Sequence, residues 1–185
     1  NHPLRGRLLP ETFIGTAEHS GLIKAIGSWV LHSACREAMR WPDHTRVAVN
    51  LSPIQFRDSL FEVVENALRE SGLPPQRLEL EVTENVLLEY NEQNIRCLDR
   101  LRSLGVAIVL DDFGAGYASL GYLRRFRFDR IKIDRSITIG LSREPDLYGI
   151  LSAITGLARA LDGKTIAEGI ENEAHLLLLR AVGCE

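Results

Sequence analysis

Five short segments of strand character recur along the chain, and helical segments separate them. They are RVAVNLS (46–52), RLELEVTE (77–84), the start of VAIVLDDFGAGYASL (106–120), FDRIKIDRS (128–136) and KTIAEGIE (164–171). The intervening stretches repeat their apolar residues at helical spacing. They are PETFIGTAEHSG (10–21), LIKAIGSWVLHSACREAM (22–39), SLFEVVENALRESGLPP (59–75), NEQNIRCLDRLRSLG (91–105) and the stripe Leu147, Ile150, Leu151, Ile154, Leu157, Ala158, Leu161. GYLRRF (121–126) reads as a short helical link, and NEAHLLLLRAVG (172–183) as the last helix. Strands joined through helices run parallel, because only a long crossover returns the chain to the same sheet end. Two architectures satisfy this order: an open doubly wound sheet, or part of a (β/α)8 barrel. No GxGxxG or GxxxxGK[ST] follows any of the strands, which weakens the nucleotide-binding open sheet.

The 185 residues suit one compact domain but are few for a complete barrel of eight strand–helix units. A net charge of −3 advertises no surface for a nucleic-acid polymer or an anionic membrane, and leaves room for a small anionic ligand held by metal ions. Cys35, Cys97 and Cys184 form neither a CxxC pair nor a disulfide framework, and they read as buried thiols in a reducing compartment. The histidines (His2, His19, His32, His44, His175) have no zinc-ligand spacing. No apolar run has the length of a membrane span and no signal peptide is visible, so a cytoplasmic chain is expected.

Within the strands the polar residues are sorted. Val47, Val49 and Leu51 oppose Ala48, Asn50 and Ser52. Leu78, Leu80 and Val82 oppose Glu79, Glu81 and Thr83, and Ile131 and Ile133 oppose Lys132 and Asp134. One face is apolar enough to receive helices. The other carries Asn50, Glu81, Asp111, Lys132 and Glu168 near the strand ends where active sites of parallel α/β folds gather. Counting Asp112, four acids, an amide and a lysine at one mouth call for a cation. Oxygen donors without His or Cys favour Mg²⁺ or Mn²⁺. Each residue also fits a plainer reading: Asp111–Asp112 as a loop start or helix cap, Lys132 as an edge lysine, Glu168 as a cap for the final helix, and Asn50 as a turn residue. The pattern alone leaves both open.

HPLRGRLLPETFIGTAEHSGLIKAIGSWVL, VNLSPIQF, LELEVTEN, LDDFGAGYASL, IKID and IAEGIE occur in this order, and together they resemble the EAL-domain family of cyclic di-GMP phosphodiesterases over essentially the whole chain. The resemblance implies a modified TIM barrel, of which residues 1–185 supply about five of eight strands. It also implies two Mg²⁺ or Mn²⁺ ions and hydrolysis of cyclic di-GMP to linear pGpG. Asn50, Glu81 and Asp111 look like ligands of the first metal; Asp111 looks like the bridge to a second, with Asp112 and Glu168. Lys132 resembles the residue that positions water or offsets phosphate charge, and Asp112 and Glu168 share in catalysis.

Glu84 resembles the anchor of the DFGAGYASL loop, where Gly114 and Gly116 allow a change of shape, and Asp134 and Glu171 resemble substrate-contacting positions. The family's Glu-Ala-Leu strand is expected before Asn1 and its glutamine-bearing strand after Glu185, so the domain reads as incomplete at both ends. The resemblance further implies a homodimer and accompanying sensory or diguanylate-cyclase domains. The alternatives are a cyclic di-GMP receptor without catalysis, should that glutamate be absent, and another barrel metalloenzyme.

Overall fold

In a computed structural model, residues 2–57, 60–84, 92–114, 123, 126–141, 144 and 146–184 are described. Five parallel strands, β1 (Val47–Leu51), β2 (Leu78–Thr83), β3 (Ala107–Phe113), β4 (Arg130–Ile133) and β5 (Lys164–Ala167), form one sheet in the order β1-β2-β3-β4-β5. Each strand lies beside the one before it. A doubly wound sheet reverses direction at a switch point, whereas an unreversed order is the arc of a barrel. The sheet decides between the two architectures in favour of the barrel.

The helices are α1 (Ile14–His19), α2 (Ile23–Ala38), α3 (Leu60–Ser71), α4 (Glu92–Ser103), α5 (Arg135–Gly140), α6 (Asp146–Ala160) and α7 (Glu173–Ala181). α3 shows why they form: Leu60, Val64, Ala67 and Leu68 are buried at helical spacing while Glu62, Glu65 and Arg69 face outward. α2 packs on β1 and α3, α4 on α3 and β3, and α6 on β5. The outward row of each strand closes this layer, with Val49, Leu78, Leu80, Ile108, Leu110, Ile131 and Ile133 all buried. Arg77, itself buried, ties α2 to β2 by donating from Nη2 to the Ala38 carbonyl (2.7 Å) and from Nε to that of Thr45 (2.8 Å). The first bond reaches the last residue of α2 and the second the segment just before β1, so one guanidinium joins the two.

The expected single helical run from residue 10 to 21 is instead a 3-10 turn (Pro10–Thr12) followed by the six-residue α1. Phe13 interrupts it with a non-helical backbone. The reading of GYLRRF as a helical link, the role of Gly116, and most of the loop after Gly114 lie outside the described residues. Cys35 and Cys184 are buried and Cys97 partly so, all three as free thiols; burial pushes Cys35 up to about 11, out of the reactive range. Among the described residues no helix is long and apolar enough to cross a membrane.

Candidate active site

The other face of the sheet carries charge in two tiers. Register sets them: in parallel strands, paired residues point to the same side. At the N-terminal end, Glu79 on β2 accepts from Arg130 on β4 and from Arg46 (3.1 Å). A cavity of about 420 Å³ opens at this end, lined by Arg46, Arg102, Asp129, Arg130 and Lys164 among others. Arg46 and Arg130 share Glu79, and Arg102 lies 3.6 Å from Asp129. No residue of the acidic cluster lines this space, so its size does not make it the reaction site.

The C-terminal tier holds the predicted residues. Asn50 is the register partner of Glu81, and Thr83 that of Asp111. The Lys132 ammonium lies 3.1 Å from Glu81 Oε1, 2.9 Å from Asp111 Oδ1 and 2.6 Å from Glu168 Oε1. Three carboxylates from β2, β3 and the end of β5 therefore meet one cation from β4. The Glu168 N–H donates to the Ile133 carbonyl (3.3 Å), which carries the β4–β5 ladder one residue further and fixes where this acid emerges.

A β-bulge explains how both aspartates reach this mouth. Neighbouring residues of a regular strand point to opposite faces, so Asp111 and Asp112 should diverge. Leu110 pairs with Ile131 and Phe113 with Ile133, so two residues of β3 stand opposite Lys132 alone. Asp112 absorbs the extra residue in a left-handed conformation, φ 55°, which aspartate tolerates better than most residues. Gly114 follows at φ 95° and donates its N–H to Glu84 Oε1 (3.0 Å). A Cβ at Gly114 would press the Ile137 terminal methyl at 2.4 Å, and the positive φ is what favours glycine there.

Burial raises the pKa of Glu81; the hydrogen bond and charge of Lys132 pull it back, while the charges of Asp111 and Glu168 push it up further. Asp112 is also raised, first by burial and then by the charges of Asp111, Asp134 and Glu168. Burial opposes the charge on Lys132, but its hydrogen bonds to Glu168, Asp111 and Glu81 win, and its pKa is raised. In the metal-free site these three acids thus hold Lys132 in its charged form. Counting Glu81, Asp111, Asp112 and Glu168 against Lys132, the cluster keeps an excess of negative charge.

Asp111 Oδ1 is the telling atom. It is buried, and the Lys132 ammonium at 2.9 Å can engage at most one of its two lone pairs. A spare buried oxygen lone pair among acids is what an oxygen-preferring divalent cation satisfies, so the donor set fits Mg²⁺ or Mn²⁺. Among the described residues the acids are not already drawn into a chelating group, because Lys132 sits between them.

The remaining candidates divide. Asp134 caps α5, accepting from the Ser136 N–H (2.8 Å). Its pKa is lowered, chiefly by the Ser136 hydroxyl, and its charge reaches Asp112. Glu171 is exposed, three residues beyond Glu168. The final helix is capped by Asn172, which accepts from the His175 N–H, so Glu168 is not spent on that task. Sequence reasoning missed the Arg46–Glu79–Arg130 tier, although alternation had placed Glu79 on the inner face.

A family model for the EAL domain matches residues 1–185. The chain belongs to the EAL domain family. Relatives include the bifunctional diguanylate cyclase/cyclic di-GMP phosphodiesterase MucR of Pseudomonas aeruginosa, 43% identical over 99% of this chain and 27% of that protein. The cyclic di-GMP phosphodiesterase NbdA of the same organism is 42% identical over 100% of this chain and 24% of its own length. The chain thus spans about a quarter of these relatives. Among solved structures, the PaMucR phosphodiesterase in complex with c-di-GMP superposes with a TM-score of 0.91 at 42% identity, over 100% of this chain and 76% of that one. The manganese/cyclic di-GMP complex of Klebsiella pneumoniae BlrP1 gives 0.79 at 27% identity, over 87% and 42%. The five-stranded parallel arc is thereby that of the EAL domain, a modified TIM barrel.

Proposed function

We propose that this EAL domain hydrolyses cyclic di-GMP to linear 5′-pGpG in a metal-dependent reaction. The observation that carries the reading is the meeting of Glu81, Asp111 and Glu168 around Lys132 at the C-terminal mouth of the sheet. Support comes from the relatives MucR and NbdA, cyclic di-GMP phosphodiesterases, and from BlrP1 in its complex with manganese and the dinucleotide.

Asn50, Glu81 and Asp111 would hold one divalent ion; Asp111 would be shared with a second, held also by Asp112 and Glu168. Bound Mg²⁺ or Mn²⁺ would lower the pKa of water toward neutrality and offset charge on the phosphate. Lys132 would donate hydrogen bonds to the attacking oxygen or to a phosphoryl oxygen. A water oxygen bonds to phosphorus, the P–O3′ bond breaks, and the 3′ oxygen takes up a proton. Glu84 holds the start of the glycine loop through Gly114, which keeps Asp112 in its bulge. Asp134 and Glu171 would face the nucleotide from the ends of β4 and β5.

The domain would act in the cytoplasm as a homodimer; that it would be one part of a longer signalling protein is in keeping with bifunctional MucR, of which the chain matches 27%. Incubation of the full chain with cyclic di-GMP and Mn²⁺, followed by chromatography, tests the reading. Formation of pGpG is expected. Retention of the dinucleotide without cleavage would make the domain a receptor and refute the hydrolase.

A further inference from the structure

Asn50 lies one residue from the end of the β1–β2 ladder, whose last pair is Leu51 with Val82. Ser52 is the first residue beyond it, and its position is set by side chains from elsewhere. Every polar group of Ser52 is engaged. Its N–H donates to Gln55 Oε1 (2.9 Å), and its carbonyl accepts from the Gln55 N–H (3.0 Å). Its hydroxyl donates to Glu18 Oε1 at 2.7 Å, across 34 residues of sequence, and accepts from the Ile54 N–H (3.3 Å).

Gln55 is buried, and its amide lies against α2 at Gly27, where a Cβ would come within 2.0 Å of Nε2. Glycine within a helix is disfavoured relative to alanine. Here its missing side chain is the space that Gln55 occupies. α1, α2 and the 3-10 turn Pro53–Arg57 thus converge on one serine.

We propose that Glu18 is a positioning residue: together with Gln55 it grips Ser52, fixes the exit of β1, and so aims Asn50 at the ion beside Glu81. This rests on the reading of Asn50 as a metal ligand. A carboxylate accepting a hydroxyl proton makes a charge-assisted bond, shorter and firmer than a neutral one. Strand alternation puts Ser52 and Asn50 on the same face, so displacement of the first turns the second. Glu18 acts through Ser52 and need touch neither metal nor phosphate.

The test compares Glu18→Ala, Glu18→Gln and Ser52→Ala in the full chain. Amide hydrogen exchange at residues 51–55 is measured without metal, and Mn²⁺ affinity by calorimetry. Glu18→Ala should speed exchange at Ser52 and Ile54 and weaken Mn²⁺ binding about tenfold, the low end for residues that orient a metal ligand. Glu18→Gln should lose clearly less than Glu18→Ala, since its amide oxygen still accepts the hydroxyl, though without the charge. Should Glu18→Ala fail to fold, Ser52→Ala deletes the same bond from its other end, together with the one from the Ile54 N–H, and must weaken Mn²⁺ binding at least as much. Unchanged exchange and unchanged Mn²⁺ affinity in Glu18→Ala or Ser52→Ala would overturn the assignment, as would equal losses in Glu18→Ala and Glu18→Gln. A wild type that binds Mn²⁺ yet leaves cyclic di-GMP intact would sink the hydrolase alone.

Discussion

Replacing Lys132 with methionine keeps the apolar stem and deletes the charge that the acids share. In the wild type the ammonium stands 3.1 Å from Glu81 and 2.9 Å from Asp111, whose side chains are only 10% and 12% exposed. With an effective dielectric constant of about 20, each contact at about 3 Å is worth roughly 5 kcal/mol before desolvation. Desolvation cancels much of that, and deleting one member of a buried ionic group costs about 3–5 kcal/mol. Glu168, 41% exposed, adds little. We expect the metal-free variant to lose about 3 kcal/mol at neutral pH.

The loss should depend on pH. Lys132 pulls the pKa of Glu81 down, so in its absence burial and the charge of Asp111 lift that pKa further above its ordinary value. A folded-state pKa above the unfolded value contributes stability that is present below the unfolded pKa and lost as pH rises through the folded one. The deficit should therefore shrink from about pH 8 to about pH 5 as Glu81 takes up its proton. Urea denaturation at both values measures it, and excess Mn²⁺ should restore part of the loss by supplying another cation. A variant as stable as the wild type near pH 8 without metal would show that the acids do not share this lysine.

Asp111→Asn should lower hydrolysis of cyclic di-GMP by about 10²–10³-fold or more with an unchanged circular dichroism spectrum, and near-normal turnover would end its bridging role. Glu84→Ala frees the Gly114 N–H and should lower kcat with KM nearly constant; parallel loss in both would argue against a loop anchor. Asp134→Ala should cost about 1 kcal/mol by uncapping α5, whereas Asp134→Asn, an equally good cap, should not. Because the pKa of Asp134 is depressed on folding, its contribution is present above the unfolded value and fades as pH falls through the folded one. Asp134→Asn should lack that acid-side fall in urea titrations.

The alternation in RVAVNLS and RLELEVTE was enough to assign Asn50 and Glu81 to the inner face, because a strand's period of two leaves no other choice. Sorting Glu79 from Glu81 was harder. Both share a face, and only the register shows that the first meets arginines at the base while the second meets Lys132 at the mouth. Asp112 was counted beside Asp111 as its neighbour at the strand end, and again through family likeness, although strict alternation would have turned it away. The bulge that reconciles them arises from pairing with β4, which the local sequence does not contain. The Glu18–Ser52 bond spans 34 residues and left no local trace at all. Asp134 did leave one: an acid two residues before a serine at the start of a helix is a cap signal, and site chemistry overshadowed it.

The bulge leaves position 112 without a conservative replacement. A positive φ admits glycine, asparagine and aspartate at modest cost, while the proposed chemistry asks for a carboxylate. Glycine or asparagine would suit the backbone and forfeit the charge; glutamate would keep the charge and strain the chain. Two unrelated filters, one steric and one ionic, overlap on a single member of the genetic alphabet.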